Sequence, residues 1–202
     1  MNLRKNKSVF NSLFYFLILL ILFINYSNVE TNVNLKVEFE KTLTRQSWNL
    51  GDYSILIDDS DPDHNWSKTS LENDWCSGEG TKENPYKIED IRLETAYPNK
   101  SLIIRNSSVY FNIQNCTLYD CNSGIEFYNV SNGSIFNNSF INMDSTSIYL
   151  MKCVNINISE NHLINVCLMG VAAVKSYNIN IIDNVIDTFC GMNYGIYHYD
   201  VN

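Results

Sequence analysis

The sequence has little positive charge, and this absence excludes several classes of partner. Fourteen lysines and arginines stand against 22 aspartates and glutamates, for a formal net charge of −8 and an isoelectric point of about 4.8. From Ser101 onward the basic residues are Arg105, Lys152 and Lys175. Because the sequence shows no basic stripe, we expect neither nucleic acid nor an anionic membrane surface as a partner.

A recognisable metal site is also missing. No C-x-x-C pair occurs among the six cysteines, and the three histidines, His64, His162 and His198, stand far apart in the chain. Zinc and similar ions need several Cys or His ligands at short, regular spacings. We therefore expect no metal and no cofactor.

The chain has no apolar run of the usual membrane-spanning length. The run from Leu13 to Ile24 follows the basic residues Arg4, Lys5 and Lys7. This is the layout of a secretory signal, and the run is shorter than most spanning helices. No A-x-A-like cleavage site follows, so residues 1–26 are predicted to be either a signal peptide or a signal anchor. In both cases the body is predicted to be secreted or displayed at the cell surface, in contact with the membrane only through this leader.

Residues 27–50 are predicted to be a linker, although no Pro- or Gly-rich hinge marks its end. Val33, Leu35, Val37 and Phe39 alternate with polar residues. Such alternation is typical of a strand, so this segment could add one strand to the domain that follows.

From Ser101 the sequence repeats itself. Lines of similar sequence start at Ser101, Gly124, Ser147, Gly170 and Gly195, and the last interval is slightly longer than the others. The second position of each line is apolar: Leu102, Ile125, Ile148, Val171 and Ile196. So is the fourth position of the first four lines: Ile104, Phe127, Leu150 and Ala173. Two more alternating runs follow within each line, and the regular Leu spacing of a leucine-rich repeat is absent. Three short strands per repeat predict an all-β fold, a right-handed single-stranded parallel β-helix over residues 101–202.

An asparagine recurs between the second and third strands of each repeat. Asn115, Asn138, Asn161 and Asn184 follow one another at one constant interval. Asp90 joins them when Ile88–Glu94 is aligned with Ile113–Asp120. Because Asn tolerates tight corners and its amides can bond along a stack, these residues are predicted to form a structural ladder. Ile113 precedes its Asn by two residues where the later repeats have three, so a bulge is expected there.

Residues 51–100 lack the regular repeat. They contain a strand-like stretch from Ser54 to Asp59 and two of the three tryptophans, Trp66 and Trp75, with Trp48 just before them. An open solenoid end exposes apolar interior and strand edges, and large aromatic side chains suit a plug. This segment is predicted to be an N-terminal cap and first partial rung. A sugar-stacking role for the tryptophans is the alternative.

The segment Trp75–Ile91, WCSGEGTKENPYKIEDI, precedes rungs of the form G-I-x-L...I-x-x-N-x-I. This combination resembles NosD-like right-handed parallel β-helix proteins, within the wider pectate-lyase-like group of carbohydrate-binding and sugar-hydrolase β-helices. The resemblance covers about Ser54 to Asn202. It implies the fold more specifically than the function. It also implies that the first strand of each line belongs to the sheet whose outer face often forms a saccharide groove.

The outward positions of that first strand carry the candidate ligand-binding residues. Along the chain these positions are Ile103 and Arg105, Glu126 and Tyr128, Tyr149 and Met151, Ala172 and Val174, and Tyr197 and Tyr199. Tyrosine stacks on the apolar faces of sugar rings and hydrogen-bonds through its hydroxyl. Arg105, Glu126, Tyr128, Tyr149, Tyr197 and Tyr199 are therefore predicted to bind a glycan or a surface protein. Tyrosine is also a favoured strand residue, which is the competing explanation.

No catalytic residues can be assigned. Glycoside hydrolysis needs two carboxylates about 5 to 10 Å apart, and Glu126 has Ile103 and Tyr149 as neighbours on this face. The Asp pair and the Gly-His-Gly signature of polygalacturonase-like members are missing. We therefore expect an exported, non-enzymatic module for glycan or protein adhesion. A polysaccharide lyase or glycoside hydrolase whose catalytic rungs are lacking here is the alternative.

Two further expectations concern the last rungs. Cys167 and Cys190 fall one repeat apart, so they form either a disulfide or a stacked, reduced pair, since neighbours in a parallel ladder are poorly oriented for bonding. The last line stops at GIYHYDVN, part-way into a rung. Its uncovered edges predict end-to-end association with a partner or continuation in a longer solenoid.

Overall fold

The computed structural model describes residues 47–51, 53–94, 102–188 and 194–200. These residues belong to one compact unit, Ser47–Asn202. The predicted leader (residues 1–26) and the alternation from Val33 to Phe39 lie outside them. Among the described residues, no helix is long and apolar enough to cross a membrane.

The described residues form three six-stranded sheets and one short helix. Sheet 1 contains β2 (Ile55–Asp58), β6 (Leu102–Ser107), β9 (Ser123–Val130), β12 (Thr146–Met151), β15 (Met169–Val174) and β18 (Tyr194–Tyr199). Sheet 2 contains β3 (Cys76–Ser77), β4 (Tyr86–Glu89), β7 (Phe111–Gln114), β10 (Gly133–Phe136), β13 (Val154–Ser159) and β16 (Tyr177–Ile182). Sheet 3 contains β1 (Trp48–Gly51), β5 (Ile91–Glu94), β8 (Thr117–Tyr119), β11 (Ser139–Met143), β14 (His162–Val166) and β17 (Val185–Thr188). The helix α1 spans Trp66–Glu72.

The chain visits the three sheets in turn, so neighbours within a sheet are one full rung apart. Every named pairing is parallel except that of β3 with β4. The fold is a parallel β-solenoid of about four turns, which confirms the predicted fold class. The predicted register of sheet 1 is also found: Leu102, Ile125, Ile148, Val171 and Ile196 stand side by side.

Alternating strand residues fill the interior. Inward side chains such as Ile104, Phe127, Leu150 and Leu163 are fully buried. Leu118 stands beside Phe140 in sheet 3 and is also fully buried, so it is Leu118 rather than Thr117 that points inward in the first full rung. Each strand is too short to bury its apolar face alone, and the stack of rungs supplies the common core.

The asparagine ladder is present, but its first two members are not those predicted. Asn138, Asn161 and Asn184 follow one another inside the corner between sheets 2 and 3. Asn138 Nδ2 donates to Asn161 Oδ1 at 3.0 Å, and Asn161 Nδ2 donates to Asn184 Oδ1 at 2.9 Å. The next position in this row is Cys116, whose backbone N–H donates to Asn138 Oδ1 at 2.9 Å.

Asn115 and Asp90 stand in a different row, on the outside of the same corner. Asn115 accepts a hydrogen bond at 2.7 Å from Asn137 Nδ2, and both Asn115 and Asp90 have a positive φ. The predicted bulge at Asn115 is absent, because Ile113 pairs directly with Ile135. The extra residue of this rung lies earlier, where three residues separate Ser107 from Phe111.

Left-handed residues make the corners. Fifteen non-glycine residues of the described part have a positive φ, and nine of them are asparagines, the residue type that adopts this conformation most readily. They stand in four rows: Asn106, Asn129, Lys152 and Lys175; Asn132, Asn155 and Asn178; Asp90, Asn115, Asn137, Glu160 and Asp183; and Asp120, Asn142 and Asn165. Hydrogen bonds between side-chain amides link many neighbours within these rows. Asn165 Nδ2, for example, donates to Asn142 Oδ1 at 3.0 Å.

Helix α1 covers the N-terminal end of the solenoid. Trp66 is only 1% exposed, and its indole stacks on Tyr86 with ring centroids 5.1 Å apart and planes 5° apart. It also packs on Phe111 at 5.0 Å and donates from Nε1 to Ser107 Oγ at 3.0 Å. Trp75 is buried too. This packing agrees with a core role for these two tryptophans.

The end of the described unit farthest from α1 exposes several apolar and aromatic side chains. Ile196 is 53% exposed, whereas Val171, its neighbour in sheet 1, is fully buried. Tyr177, Ile182 and Val185 are exposed on the last strands of sheets 2 and 3. End-to-end association through this rung stays a prediction.

The cysteines divide into two groups. Cys76, Cys116, Cys121 and Cys153 are buried thiols. Cys167 is disulfide-bonded, so the reduced alternative is wrong for it, and its predicted partner Cys190 lies outside the described residues.

Candidate functional site

The outer face of sheet 1 carries all six predicted ligand-binding residues. Two columns of outward side chains run along the solenoid axis, with neighbours one strand spacing of about 4.8 Å apart. The first column is Leu56, Ile103, Glu126, Tyr149, Ala172 and Tyr197. The second column is Asp58, Arg105, Tyr128, Met151, Val174 and Tyr199. The outward positions therefore lie in the register that the repeat predicts.

The end of this face nearest α1 is polar. Tyr128 donates its hydroxyl proton to Glu126 Oε2 at 2.7 Å, and the guanidinium carbon of Arg105 lies 5.4 Å from the centre of the Tyr128 ring. Asp58, beside Arg105, accepts hydrogen bonds from Ser60 Oγ and Asn106 Nδ2. These bonds and the nearby Arg105 charge hold the pKa of Asp58 below its usual value, with the Ser60 bond the largest cause.

Tyr128 is held in its neutral form. Burial raises the pKa of this phenol, and the bond to Glu126 and the Glu126 charge raise it further. An ionised phenolate would stand next to a carboxylate and lose the hydrogen bond that it donates. Tyr128 therefore presents an uncharged ring whose hydroxyl is already committed to Glu126.

The tyrosines form two groups along the face. Tyr128 and Tyr149, on adjacent strands, have ring centroids 5.8 Å apart. Tyr197 lies 5.6 Å from Tyr194 and 6.3 Å from Tyr199, and its plane is 14° from that of Tyr199. Tyr128, Tyr149 and Tyr197 are half-buried, while Tyr199 is exposed. Rings held by such contacts lose little further freedom when a ligand stacks on them.

Small apolar residues separate the two groups. Ala172 stands between Tyr149 and Tyr197 in the first column and is fully buried, although it occupies an outward position. Met151 and Val174 occupy the second column beside it and are half-buried. The face thus has aromatic groups on both sides of an apolar strip, which is one strand wide in the first column and two strands wide in the second. This shape suits the apolar face of a ring-containing ligand.

Comparison of the sequence with protein-family models agrees with this fold of stacked rungs. The family described as right handed beta helix region matches residues 79–202. The chain belongs to this right-handed β-helix family. No curated protein and no solved structure matches the chain. A β-helix domain of this kind fits a module that interacts with carbohydrate or protein.

Sequence reasoning missed two residues of this face. Tyr194 stands in sheet 1 beside Met169 and packs on Tyr197, but it precedes the Gly195 with which the repeat line begins. Asp58 stands beside Arg105, but it lies in a segment that the sequence predicts to be cap. Alignment of the repeat lines would have placed Tyr194 at the position of Ser123, Thr146 and Met169. Alignment of Ser54–Asp58 (SILID) with Ser101–Arg105 (SLIIR) would likewise have placed Asp58 beside Arg105.

The histidines of the β-helix lie apart. His64, near α1, lies 2.8 Å from Asp61, and His162 is exposed on sheet 3. His198 takes the position of Ala173 one rung later, and its Nε2 lies 3.1 Å from the Ser176 carbonyl oxygen. Among the described residues, no group of three or more His, Cys, Asp or Glu side chains could hold a metal ion.

Proposed function

We propose that this protein is an exported β-helix module that binds glycans on the outer face of sheet 1, without catalysis. One observation carries the proposal: two groups of preoriented tyrosines flank an apolar strip on a single sheet face. Tyr128 and Tyr149 form one group, and Tyr194, Tyr197 and Tyr199 form the other. Aromatic rings spaced along a β-sheet suit successive sugar rings of an extended chain.

The strand positions support binding by these tyrosines over a purely structural explanation. Strand propensity alone would favour outward tyrosines on any sheet. In sheet 2 the corresponding outward column from β4 to β16 reads Lys87, Asn112, Ser134, Asn157 and Asn180. The tyrosines are thus concentrated on one face.

The charge pattern favours adhesion over hydrolysis. Glu126 stands between Ile103 and Tyr149 in its column and accepts a bond from Tyr128. Asp58, the other carboxylate in the two columns, is two strands away and bonded to Ser60 and Asn106. A pair of carboxylates across a scissile bond would need closer positions and a free acid.

The predicted leader supports export, and the resemblance to NosD-like proteins, whose group includes surface proteins, supports display at the cell surface. Both belong to the proposal. Cell fractionation of the full-length protein, with the leader deleted in a control, tests export: we expect the intact protein outside the cytoplasm and the deletion variant within it.

Binding on a polysaccharide and glycan array tests the site. We expect Tyr149→Ala and Tyr197→Ala each to weaken binding by about tenfold, since each removes one stacking ring. Tyr177→Ala is the matched control, because Tyr177 is 66% exposed but lies on sheet 2. The proposal is wrong if neither face variant weakens the binding that the wild type shows, or if Tyr177→Ala weakens it equally.

A further inference from the structure

The corner that borders the tyrosine face carries two stacked lysines. Lys152 follows Met151 at the end of β12, and Lys175 follows Val174 at the end of β15. Both lysines are exposed, and both have a positive φ, 56° and 50°. We call Lys152 and Lys175 the lysine corner. The two residues lie at one edge of sheet 1, directly after Met151 and Val174 of the outer face.

Lysine is an unfavourable residue at these positions. The same row holds Asn106 and Asn129 in the preceding rungs, where Asn129 Nδ2 donates to Asn106 Oδ1 at 3.1 Å. Asparagine adopts the left-handed conformation at little cost, and its side-chain amide continues the row of hydrogen bonds. Lysine adopts this conformation at a higher cost and has no amide to continue the row. The lysines are therefore present despite the backbone conformation.

The sign of the charge is also unusual. Among the fifteen non-glycine residues with positive φ in the described part, the other charged ones are acidic: Asp90, Asp120, Glu160 and Asp183. Acidic corners fit a chain of net charge −8. The two lysines run against that composition. Residues that break local preferences without a structural gain tend to mark functional sites.

The two lysines stand on adjacent rungs, and neither forms an ion pair in the described structure. The Lys152 N–H donates to the Val174 carbonyl at 3.0 Å, which stacks Lys175 about one strand spacing, about 4.8 Å, from Lys152. The described residues contain no ion pair to either lysine. Asp200 comes next in the row, and its carboxylate lies 3.8 Å from His198 Nε2. Two lysine side chains that start from adjacent rungs can reach the same anion, whose charge attracts both of them.

All positive charge of the regular rungs meets at this edge. Between residues 102 and 200 the basic residues are Arg105, Lys152 and Lys175. Arg105 stands in the second column of the face, and the lysine corner continues the same edge two and three rungs later. Arg105 lies one residue before the row that the lysine corner continues, so three cations from separate rungs lie near the same edge of the face.

We propose that the outer face of sheet 1 selects acidic polysaccharides, with the lysine corner binding their carboxylate or sulfate groups while the tyrosines contact the sugar rings. This inference rests on the proposed function and names its ligand class. A polyanion that follows the face would offer regularly spaced charges to Arg105, Lys152 and Lys175. Such contacts are charge-assisted, and added salt weakens them.

The double variant Lys152→Asn/Lys175→Asn tests the proposal. Asparagine restores the residue type found earlier in the row, so this variant is expected to melt at a higher temperature than the wild type. It is also expected to bind polygalacturonate or dextran sulfate at least about tenfold more weakly. Lys87→Asn is the matched control: it removes a half-buried lysine of sheet 2, and binding should change less than about twofold.

Three ligands separate the outcomes. The wild type should bind polygalacturonate, dextran sulfate or both more tightly than neutral dextran, and high salt should remove the preference. Comparison of the two anionic polymers distinguishes carboxylate from sulfate. If Tyr149→Ala weakens binding but the double lysine variant does not, the ligand class is wrong and the glycan face stands. If the wild type binds no polysaccharide, both proposals are wrong.

Discussion

At the residue scale, buried amides hold the rungs in register. The side chain of Asn161 makes four bonds: Oδ1 accepts from the backbone N–H and Nδ2 of Asn138, and Nδ2 donates to the Ile135 carbonyl and to Asn184 Oδ1. Asn161 is fully buried. A buried polar group is tolerated only when its hydrogen bonds are made. Here each side-chain amide donates a hydrogen bond to the amide oxygen of the next rung.

The ladder predicts a large effect for a small substitution. Asn161→Ala should lower the free energy of unfolding by about 3 to 5 kcal/mol, because it leaves several buried groups without partners. Asn157→Ala is the control, since Asn157 is an exposed residue on the same rung, and its effect should stay within about 0.5 kcal/mol. Urea denaturation measures both. Equal effects would contradict the ladder.

One buried hydroxyl makes the opposite prediction. Ser147 is fully buried, and its Oγ has no hydrogen-bond partner. Ser147→Ala should therefore raise the free energy of unfolding by about 1 kcal/mol, by removing an unsatisfied polar atom. At the neighbouring position, Gly124, no side chain fits, because an added Cβ would lie 2.6 Å from the Phe140 ring. A loss of stability in the Ser147→Ala variant would show that the hydroxyl has a partner.

A buried thiol links stability to alkaline pH. Burial raises the pKa of Cys116 to about 12, above the ordinary value of about 8.5. Between these values the unfolded chain releases a proton that the folded chain retains, so the thiol's contribution to stability is intact below about pH 8.5 and falls as pH rises. Cys116→Ser should lose less stability than the wild type between pH 7 and pH 10. Identical losses in thermal melts would contradict the raised pKa.

At the scale of elements, the period of the sequence repeat predicts the strands but does not predict the corners. The alternation within each line of the repeat predicts which residues of sheet 1 stand side by side, because parallel strands one rung apart repeat their inward positions. The corners vary in length without disturbing that register. Three residues connect Ser107 to Phe111 where two connect Val130 to Gly133, and for this reason spacing alone assigned Asn115 to the row that Cys116 occupies.

Helix α1 is an element whose role depends on one side chain. Trp66→Ala should lower the free energy of unfolding by about 3 to 5 kcal/mol, because it opens a cavity over Tyr86 and Phe111. Leu71→Ala is the matched control on the same helix, since Leu71 is 86% exposed. Hydrogen exchange should show the rung nearest α1 losing protection first. Equal stability of the two variants would show that the helix does not seal this end.

At the scale of the molecule, the candidate site is a consequence of stacking. Arg105, Tyr128, Tyr149 and Tyr197 come from four separate rungs and meet on one face because the solenoid has a constant pitch. The repeat was sufficient to predict the outward positions of these four residues, since they depend only on the strand register, but it missed Asp58 and Tyr194. The lysine corner could not be predicted, because it depends on which residues adopt the left-handed conformation.

Hydroxyl-radical footprinting with a bound polysaccharide measures most directly whether this face is the binding surface. The wild type is oxidised with and without the polymer that it binds most tightly, and side-chain oxidation is read by mass spectrometry. The proposed binding face predicts protection of Tyr149, Tyr197 and Tyr199, with Tyr177 on sheet 2 oxidised equally in both states. Protection of Tyr177 with none on the outer face of sheet 1 would contradict it.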